Sequence, residues 1–420
     1  MTSSSEVPLS PTPDTHGPRR HRRLLTYLLV GAASLTAAVA LAARHRGAST
    51  RAVLPAPATA QAPSSGPAVR AAPARRPRVE MVFALDTTGS MSGLIEGAKR
   101  KIWSLASFVA QGQPTPDLRV GLVGYRDRGD IYVTRRFDLD DDLDRVFKNL
   151  HSFSADGGGD TPEHVSRALS EAVDKTSWSS DPAVVKVIYL VGDSPPHTDY
   201  HDGFDYRSAA KAAAERGIEI HTVRCGSNPD TEKFWRTIAQ LGHGQYSSVE
   251  QNGGMREEHT PYDDELARLH DELASTALAY GAHRAEVVAA QASAAAEPAP
   301  IKAARVGFVQ SKGKAIAGKG DLLDDLRDNS VKLEELSPEA LPTELQGLPQ
   351  AAQAALIANK TEKRLALDKR IAELTRLRAR HIEDEERKAE AAGAADGFDV
   401  AAKKSLRKSV KAKPLSGLSL

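Results

Sequence analysis

A single cysteine, Cys225, excludes any disulfide within this 420-residue chain, and it equally excludes zinc sites built on paired cysteines. It follows an apolar strand-like run, Ile218 to Val223, where a buried and inert thiol is expected. One cysteine does not fix the redox compartment. Aromatic residues are scarce at 5%, and alanine dominates the flanking segments, which concentrates the core in the middle of the chain. The formal net charge is only +1, so no whole-chain field argues for nucleic acid as a partner. The chain has no G-x-S-x-G elbow, no kinase catalytic loop and no internal repeat.

What charge there is sits unevenly. Residues 1–78 hold eleven arginines against only Glu6 and Asp14. Residues 1–23 form a basic segment ending in Arg19, Arg20, Arg22 and Arg23, and Leu24 to Ala43 follows with no charge at all. Twenty such residues suffice to cross a bilayer as a helix, since roughly 20 apolar residues cover the hydrocarbon core. Residues 24–43 therefore read as a membrane anchor or a signal helix, and Ala38-Val-Ala40 and Ala40-Leu-Ala42 offer small-residue cleavage sites. The stretch is long for a signal core, which favours an uncleaved anchor. A single-pass or secreted protein with its folded part outside the cytoplasm is the expectation, although Arg44 and Arg46 weaken the orientation signal. Residues 44–78, rich in proline and alanine, read as an extended tether.

Beyond the tether, apolar runs alternate with amphipathic stretches. Val79 to Leu85 precedes a helical stripe of Leu94, Ile95, Ala98, Ile102, Leu105 and Val109 at spacings of three and four. Leu118 to Tyr125 and Ile131 to Phe137 flank a short polar turn, the pattern of a hairpin that places one antiparallel strand on the sheet edge. Three helix–strand pairs follow, ending with Tyr246 to Val249. This alternation predicts a doubly wound, mostly parallel α/β sandwich over residues 79–252. Residues 253–300 read as an alanine-rich helical segment and 301–395 as a charged helical region with a short strand-like piece, Arg305 to Val309. Leu367, Ile371, Leu374 and Leu377 hint at a coiled coil of little more than two heptads. Residues 396–420 read as a basic, disordered tail.

The run Met81 to Leu85 stops at a carboxylate, Asp86, and two hydroxyls follow at alternate positions, Thr88 and Ser90. Oxygen donors converging at the carboxyl end of a parallel strand suit a hard cation such as magnesium, and such strand ends are where open α/β sheets bind ligands. Two further loops carry the same chemistry: Asp156-Gly-Gly-Gly-Asp160-Thr161-Pro162-Glu163, and Gly192-Asp193-Ser194-Pro195-Pro196 after the strand Val184 to Val191. Asp-x-Thr-x-Ser resembles the metal-ion-dependent adhesion site of von Willebrand factor A-type domains, whose usual form is Asp-x-Ser-x-Ser. The resemblance implies that Thr161 and Asp193 complete the site, with Asp160 a competitor for the role of Thr161. It further implies Mg2+ or Mn2+ as cofactor, and as partner a protein ligand whose acidic side chain completes the coordination. Asp, Ser, Thr and Gly after a strand also serve as turn formers and helix caps. Capping explains each loop taken singly, but not the agreement of all three.

Other constellations compete. Tyr125, Arg126 and Asp127 end the second strand on the same side as Asp86, which places them at the ligand rim beside Asp160 and His197, with salt bridging within the hairpin the equal alternative. His197, Asp199 and His201 form a cluster that could instead hold a catalytic metal, making the protein a metal-dependent hydrolase. A third reading is a scaffold assembled through the C-terminal helices. Gly313-Lys-Ala-Ile-Ala-Gly-Lys-Gly320 nearly matches a phosphate-binding P-loop but ends in Gly320 where a hydroxyl should reach magnesium, so a flexible glycine and lysine turn is the expectation. The main expectation is non-catalytic, metal-dependent protein binding, tethered to the membrane.

Overall fold

The apolar runs of the middle region become a six-stranded sheet in the computed structural model, which describes residues 76–159, 161–256, 259–394 and 397–420. The strands are β1 (Arg78–Asp86), β2 (Asp117–Tyr125), β3 (Thr134–Asp140), β4 (Val185–Gly192), β5 (Ile218–Cys225) and β6 (His243–Val249). Their order is β3-β2-β1-β4-β5-β6, and all neighbours are parallel except β3, which runs antiparallel to β2 at the edge. The doubly wound, mostly parallel α/β fold expected from the alternation is the one found. β3 begins three residues later than the apolar run suggests, because Ile131 to Val133 belong to the connecting loop.

Side-chain alternation along β1 separates the two layers of helix. Val79, Met81, Phe83 and Leu85 join one core with α1 (Ser92–Ala110) and α2 (Leu143–His151). Val82 and Ala84 point the other way, into a second core with α3 (Val165–Asp174), α4 (Tyr206–Glu215) and α5 (Pro229–Leu241). A strand buried on both faces needs apolar residues at nearly every position, which is why β1 and β4 read as continuous apolar runs.

The C-terminal region is helical: α6 (Asp263–Ala274), α7 (Arg284–Ala295), α8 (Ala299–Ser311), α9 (Leu322–Arg327), α10 (Gln350–Ala391) and α11 (Phe398–Ala412). Two expectations are corrected here. Arg305 to Val309 is not a strand but lies within α8, which packs on α1 and α6. Residues 397–420, from the segment read as a disordered tail, are not one: α11 covers the β4–β5–β6 half of the first face. Phe398, Ala402, Leu406 and Val410 recur at four-residue intervals and are all buried, while the lysines between them occupy the outer side or form ion pairs. Tyr189 donates its hydroxyl to Ala402 O at 2.9 Å, and Phe83 meets Phe398 edge to face at 6.1 Å. α11 thus completes the sandwich from the far end of the chain.

Leu367, Ile371 and Leu374 of α10 are buried in the same core, facing α6 and α8 of this chain. No helix among the described residues is long and apolar enough to cross a membrane. Residues 24–43, read as the anchor, and Asp160 lie outside the described residues.

Candidate metal centre

β1 and β4 are neighbours with Leu85 opposite Val191, so Asp86 and Asp193 leave adjacent strands at nearly the same level. The residue between the two, Gly192, has no alternative: a Cβ there would collide with the Tyr125 hydroxyl and stand 3.1 Å from Asp86 Oδ2. Asp86 is fully buried. Its Oδ1 accepts from the Thr88 amide at 2.9 Å and from the Thr88 hydroxyl at 2.6 Å. The Thr88 hydroxyl lies 3.3 Å from that of Ser90. Asp86 Oδ2 is buried and has no hydrogen-bond partner among the described residues.

That geometry weighs against a capping role. The Asp86–Thr88 amide bond is a local turn interaction, but it uses one oxygen only. Neither the short 3-10 turn Gly89–Met91 nor α1 nor α3 receives a side-chain cap at its start. The helices α4 and α5, by contrast, are capped by Asp205 and Asn228. The chain caps helices where that is the need, and the oxygens of the first two loops are left for something else.

The second loop wraps beneath the first. Gly157 and Gly158 both have left-handed backbone, and the Gly89 amide donates to Gly157 O at 3.2 Å. Any side chain at Gly157 would run into the Asp130 carboxylate, whose Oδ1 accepts from the Gly158 amide at 3.3 Å. Thr161 is exposed, and among the described residues its hydroxyl makes no hydrogen bond to Asp86, Thr88, Ser90 or Asp193. Glu163, two residues on, is the buried one. Its amide donates to Pro195 O at 2.9 Å and its carbonyl accepts from the His197 amide at 3.1 Å, zipping the second loop to the third. Glu163 Oε2 is buried without a partner among the described residues.

Asp193 Oδ1 accepts from Ser194 at 3.1 Å, and its Oδ2 accepts from the Gln251 amide at 2.6 Å. Gln251 also reaches Ser90 O at 3.5 Å, so a residue from beyond β6 leans over the site. Burial pushes the Asp86 carboxyl up to about 7, with the Thr88 hydrogen bond opposing and the Asp193 charge adding to it. Burial likewise pushes Glu163 up to about 9, reinforced by the charges of Asp86, Asp127, Asp130 and Asp193. Several carboxylates are therefore crowded together with little cationic relief.

The expected rim residues fall elsewhere. Tyr125 is fully buried under the site and donates to Val191 O at 3.1 Å. Arg126 is also buried, its guanidinium spent on Thr87 O at 3.0 Å and Ser154 O at 2.8 Å. Both belong to the floor that ties β1 to the β2–β3 loop. Asp127 is buried as well and accepts from Tyr200 at 2.6 Å. His197 stacks on Tyr200 with 4.0 Å between ring centroids, its Nδ1 2.9 Å from Asp199 and its Nε2 3.3 Å from Asp127. Nδ1 is hydrogen-bonded to Asp199, Nε2 is buried near Asp127 without a hydrogen-bond partner among the described residues, and His201 is exposed. Among the described residues no three His, Cys, Asp or Glu side chains converge closely enough to hold an ion by themselves. That includes the proposed His197–Asp199–His201 cluster. An ion at Asp86 and Asp193 would need hydroxyls and water as well.

Glu163 and Gln251 are the polar residues that spacing alone did not single out. Glu163 sits in a recognisable loop, and its place just before the apolar start of α3 was the available clue. Gln251 carries no sequence signal.

The family model of the von Willebrand factor type A domain matches residues 80–257, and this segment is such a domain. No curated protein sequence matches the chain. Among solved structures, proximal thread matrix protein 1 from the mussel byssus is 14% identical with a TM-score of 0.34, over 42% of this chain and 43% of that one. A form of the same mussel protein described as having a zinc occupied MIDAS motif is 13% identical with a TM-score of 0.34 and the same coverage. The VWA domain of SpRpn10 is 14% identical with a TM-score of 0.32, over 42% of this chain and 89% of that one. The chain thus spans less than half the length of the mussel protein it matches.

Proposed function

We propose that residues 80–257 form a non-catalytic protein-binding module whose ligand contact depends on a divalent cation, Mg2+ or Mn2+. The carrying observation is the buried, unpartnered Oδ2 of Asp86, beside Asp193 and the hydroxyls of Thr88 and Ser90. A buried carboxylate oxygen without a donor is costly unless something charged meets it. A hard divalent ion fits this donor set, since magnesium is held by one or two carboxylates and keeps several waters. Asp86, Thr88, Ser90 and Asp193 would hold the ion, some directly and some through water, with Thr161 as the family position on the second loop. Glu163 lies behind them with a buried oxygen that has no partner among the described residues. The bound ion would supply residual positive charge and an exchangeable position for an acidic side chain of a partner.

A binding role rather than catalysis is supported by what surrounds the oxygens. Arg126 is consumed by backbone carbonyls, and among the described residues His197, Asp199 and His201 do not converge as a second metal site. That lack of convergence weighs against the hydrolase reading built on His197, Asp199 and His201. Tethering through residues 24–43 remains part of the proposal on the strength of their sequence.

The test is a calorimetric titration of the full chain with magnesium, followed by capture of partners with magnesium and with chelator. Saturable binding lost in Asp86→Asn, and capture that chelator abolishes, would support the proposal. Capture indifferent to chelator would instead favour a scaffold assembled through the C-terminal helices.

A further inference from the structure

The near-P-loop segment, unused by the metal centre, lines a cavity of about 660 Å³ at the opposite end of the sheet. Its walls are the starts of β1 and β2, the N-terminus of α2, the end of α8 and the loop 312–319. That volume lies within the roughly 300–1,000 Å³ of small-molecule sites. The segment is not a P-loop in context, because it follows helix α8 rather than a strand. Nor is it the free turn its glycines suggest. Ala315, Ile316 and Ala317 are buried, and Gly318 lies so close to the Asp142 carboxylate that any side chain there would clash. The loop is a fixed platform for Lys314 and Lys319.

Seven cationic side chains line the cavity against four carboxylates. Four of the cations are held by the protein: Arg78 lies 3.9 Å and Arg119 3.2 Å from Glu80, Lys312 lies 3.9 Å from Asp117, and Arg327 pairs with Asp328 at 2.9 Å. The other three, Arg76, Lys314 and Lys319, have no ion-pair partner among the described residues. Three of the four carboxylates are already answered, since Asp142 caps α2 and pairs with Arg145 at 3.0 Å. Burial pushes the Lys312 ammonium below the usual lysine range, with Arg76 and Lys314 adding to the effect and Asp117 opposing it. Positive charge is therefore in surplus where solvent is partly excluded.

We propose that this cavity binds a small ligand carrying two or more phosphate groups, held by Arg76, Lys314 and Lys319. Multiple charges on one ligand match three separated cations better than a single carboxylate does. Lysine serves as a point-charge phosphate binder, and arginine adds a planar fork for two oxygens. The phosphate could belong to a free polyphosphate compound or to a lipid headgroup, and the experiment separates the two.

The full chain is titrated with inorganic pyrophosphate in calorimetry, with chelator present so that the metal centre is not read. Bis(glycerophospho)glycerol, the soluble headgroup of an anionic lipid with two phosphates, is titrated in parallel. Saturable 1:1 binding of pyrophosphate is expected, weakened about tenfold or more by Lys314→Ala with Lys319→Ala. Pyrophosphate binding more tightly than the headgroup assigns a free polyphosphate, and equal binding with the same loss in the variant assigns a lipid. Because neither lysine has an ion-pair partner among the described residues, the double variant should keep the wild-type melting temperature. Absence of saturable heat with both probes, or a variant that binds as well as wild type, overturns the proposal.

Discussion

The Gln251 side-chain amide donates to Asp193 Oδ2 at 2.6 Å, placing a residue from beyond the last strand on a carboxylate of the candidate metal centre. Gln251 is exposed, so it can swing clear without disturbing the core. A cation bound at Asp193 would compete with that hydrogen bond. A net hydrogen bond contributes about 0.5–1.5 kcal/mol. Gln251→Ala should therefore tighten magnesium binding by roughly two- to tenfold in calorimetry. Weaker binding in the variant would mean that Gln251 supports the ion instead of displacing it.

Asp86→Asn keeps the size of the side chain while removing its charge. In metal-free protein the buried carboxyl already sits near pH 7, pushed there by burial first, so the neutral amide should cost little stability. The magnesium increment should vanish. A ligand at a hundred times its dissociation constant stabilises by about 2.7 kcal/mol, and a melting shift of that origin is readily measured in the wild type. A variant that gains as much from magnesium as the wild type would remove Asp86 from the site.

How much of this was legible in the sequence follows from the range over which each signal acts. Asp86, Thr88 and Ser90 stand out because an apolar run ends abruptly at a carboxylate, a pattern contained within eleven residues. The doubly wound fold follows from alternation, and β3 was visible as a hairpin. Arg126 was expected at the ligand rim because the second strand ends on the same side as Asp86, yet the β2–β3 loop folds the Tyr132 ring to 4.5 Å from its guanidinium and closes it in. Arg305 to Val309 contains β-branched and aromatic residues in too short a run to separate strand from buried helix. α11 escaped notice because its apolar residues are spaced among many lysines and its partners on β4 and β5 lie far back in the chain. Periodicity reports on a face, not on what covers it.

If α11 is a structural layer of the sandwich, trimming its core side should destabilise the whole sheet. Leu406 is fully buried among residues of the first core. Leu406→Ala should cost roughly 2–5 kcal/mol, the usual range for emptying a buried leucine site. Chemical denaturation followed by far-ultraviolet circular dichroism measures it. A loss below about 0.5 kcal/mol, typical of surface substitutions, would show that the helix is not part of the cooperative unit.

The same interface should be sensitive to acid. His221 on β5 lies 2.9 Å from the Ser409 hydroxyl of α11 and accepts from the Gln245 amide at 3.0 Å. Burial, aided by the Lys408 charge, lowers its pKa from 6.5 to about 4. Glu219, 3.7 Å away, does not outweigh burial. Between those two values the unfolded chain binds a proton that the folded chain refuses, so stability rises with pH across the window. The contribution is fully present above pH 6.5 and is lost as the pH falls towards 4. His270 on α6 is shifted the same way by burial, so the wild-type slope alone does not isolate His221. Comparison with His221→Gln does: the variant should lose less stability between pH 7 and pH 4 than the wild type, by on the order of 3 kcal/mol at most. Parallel melting profiles over that range would show that His221 does not hold α11 against the sheet in its neutral form.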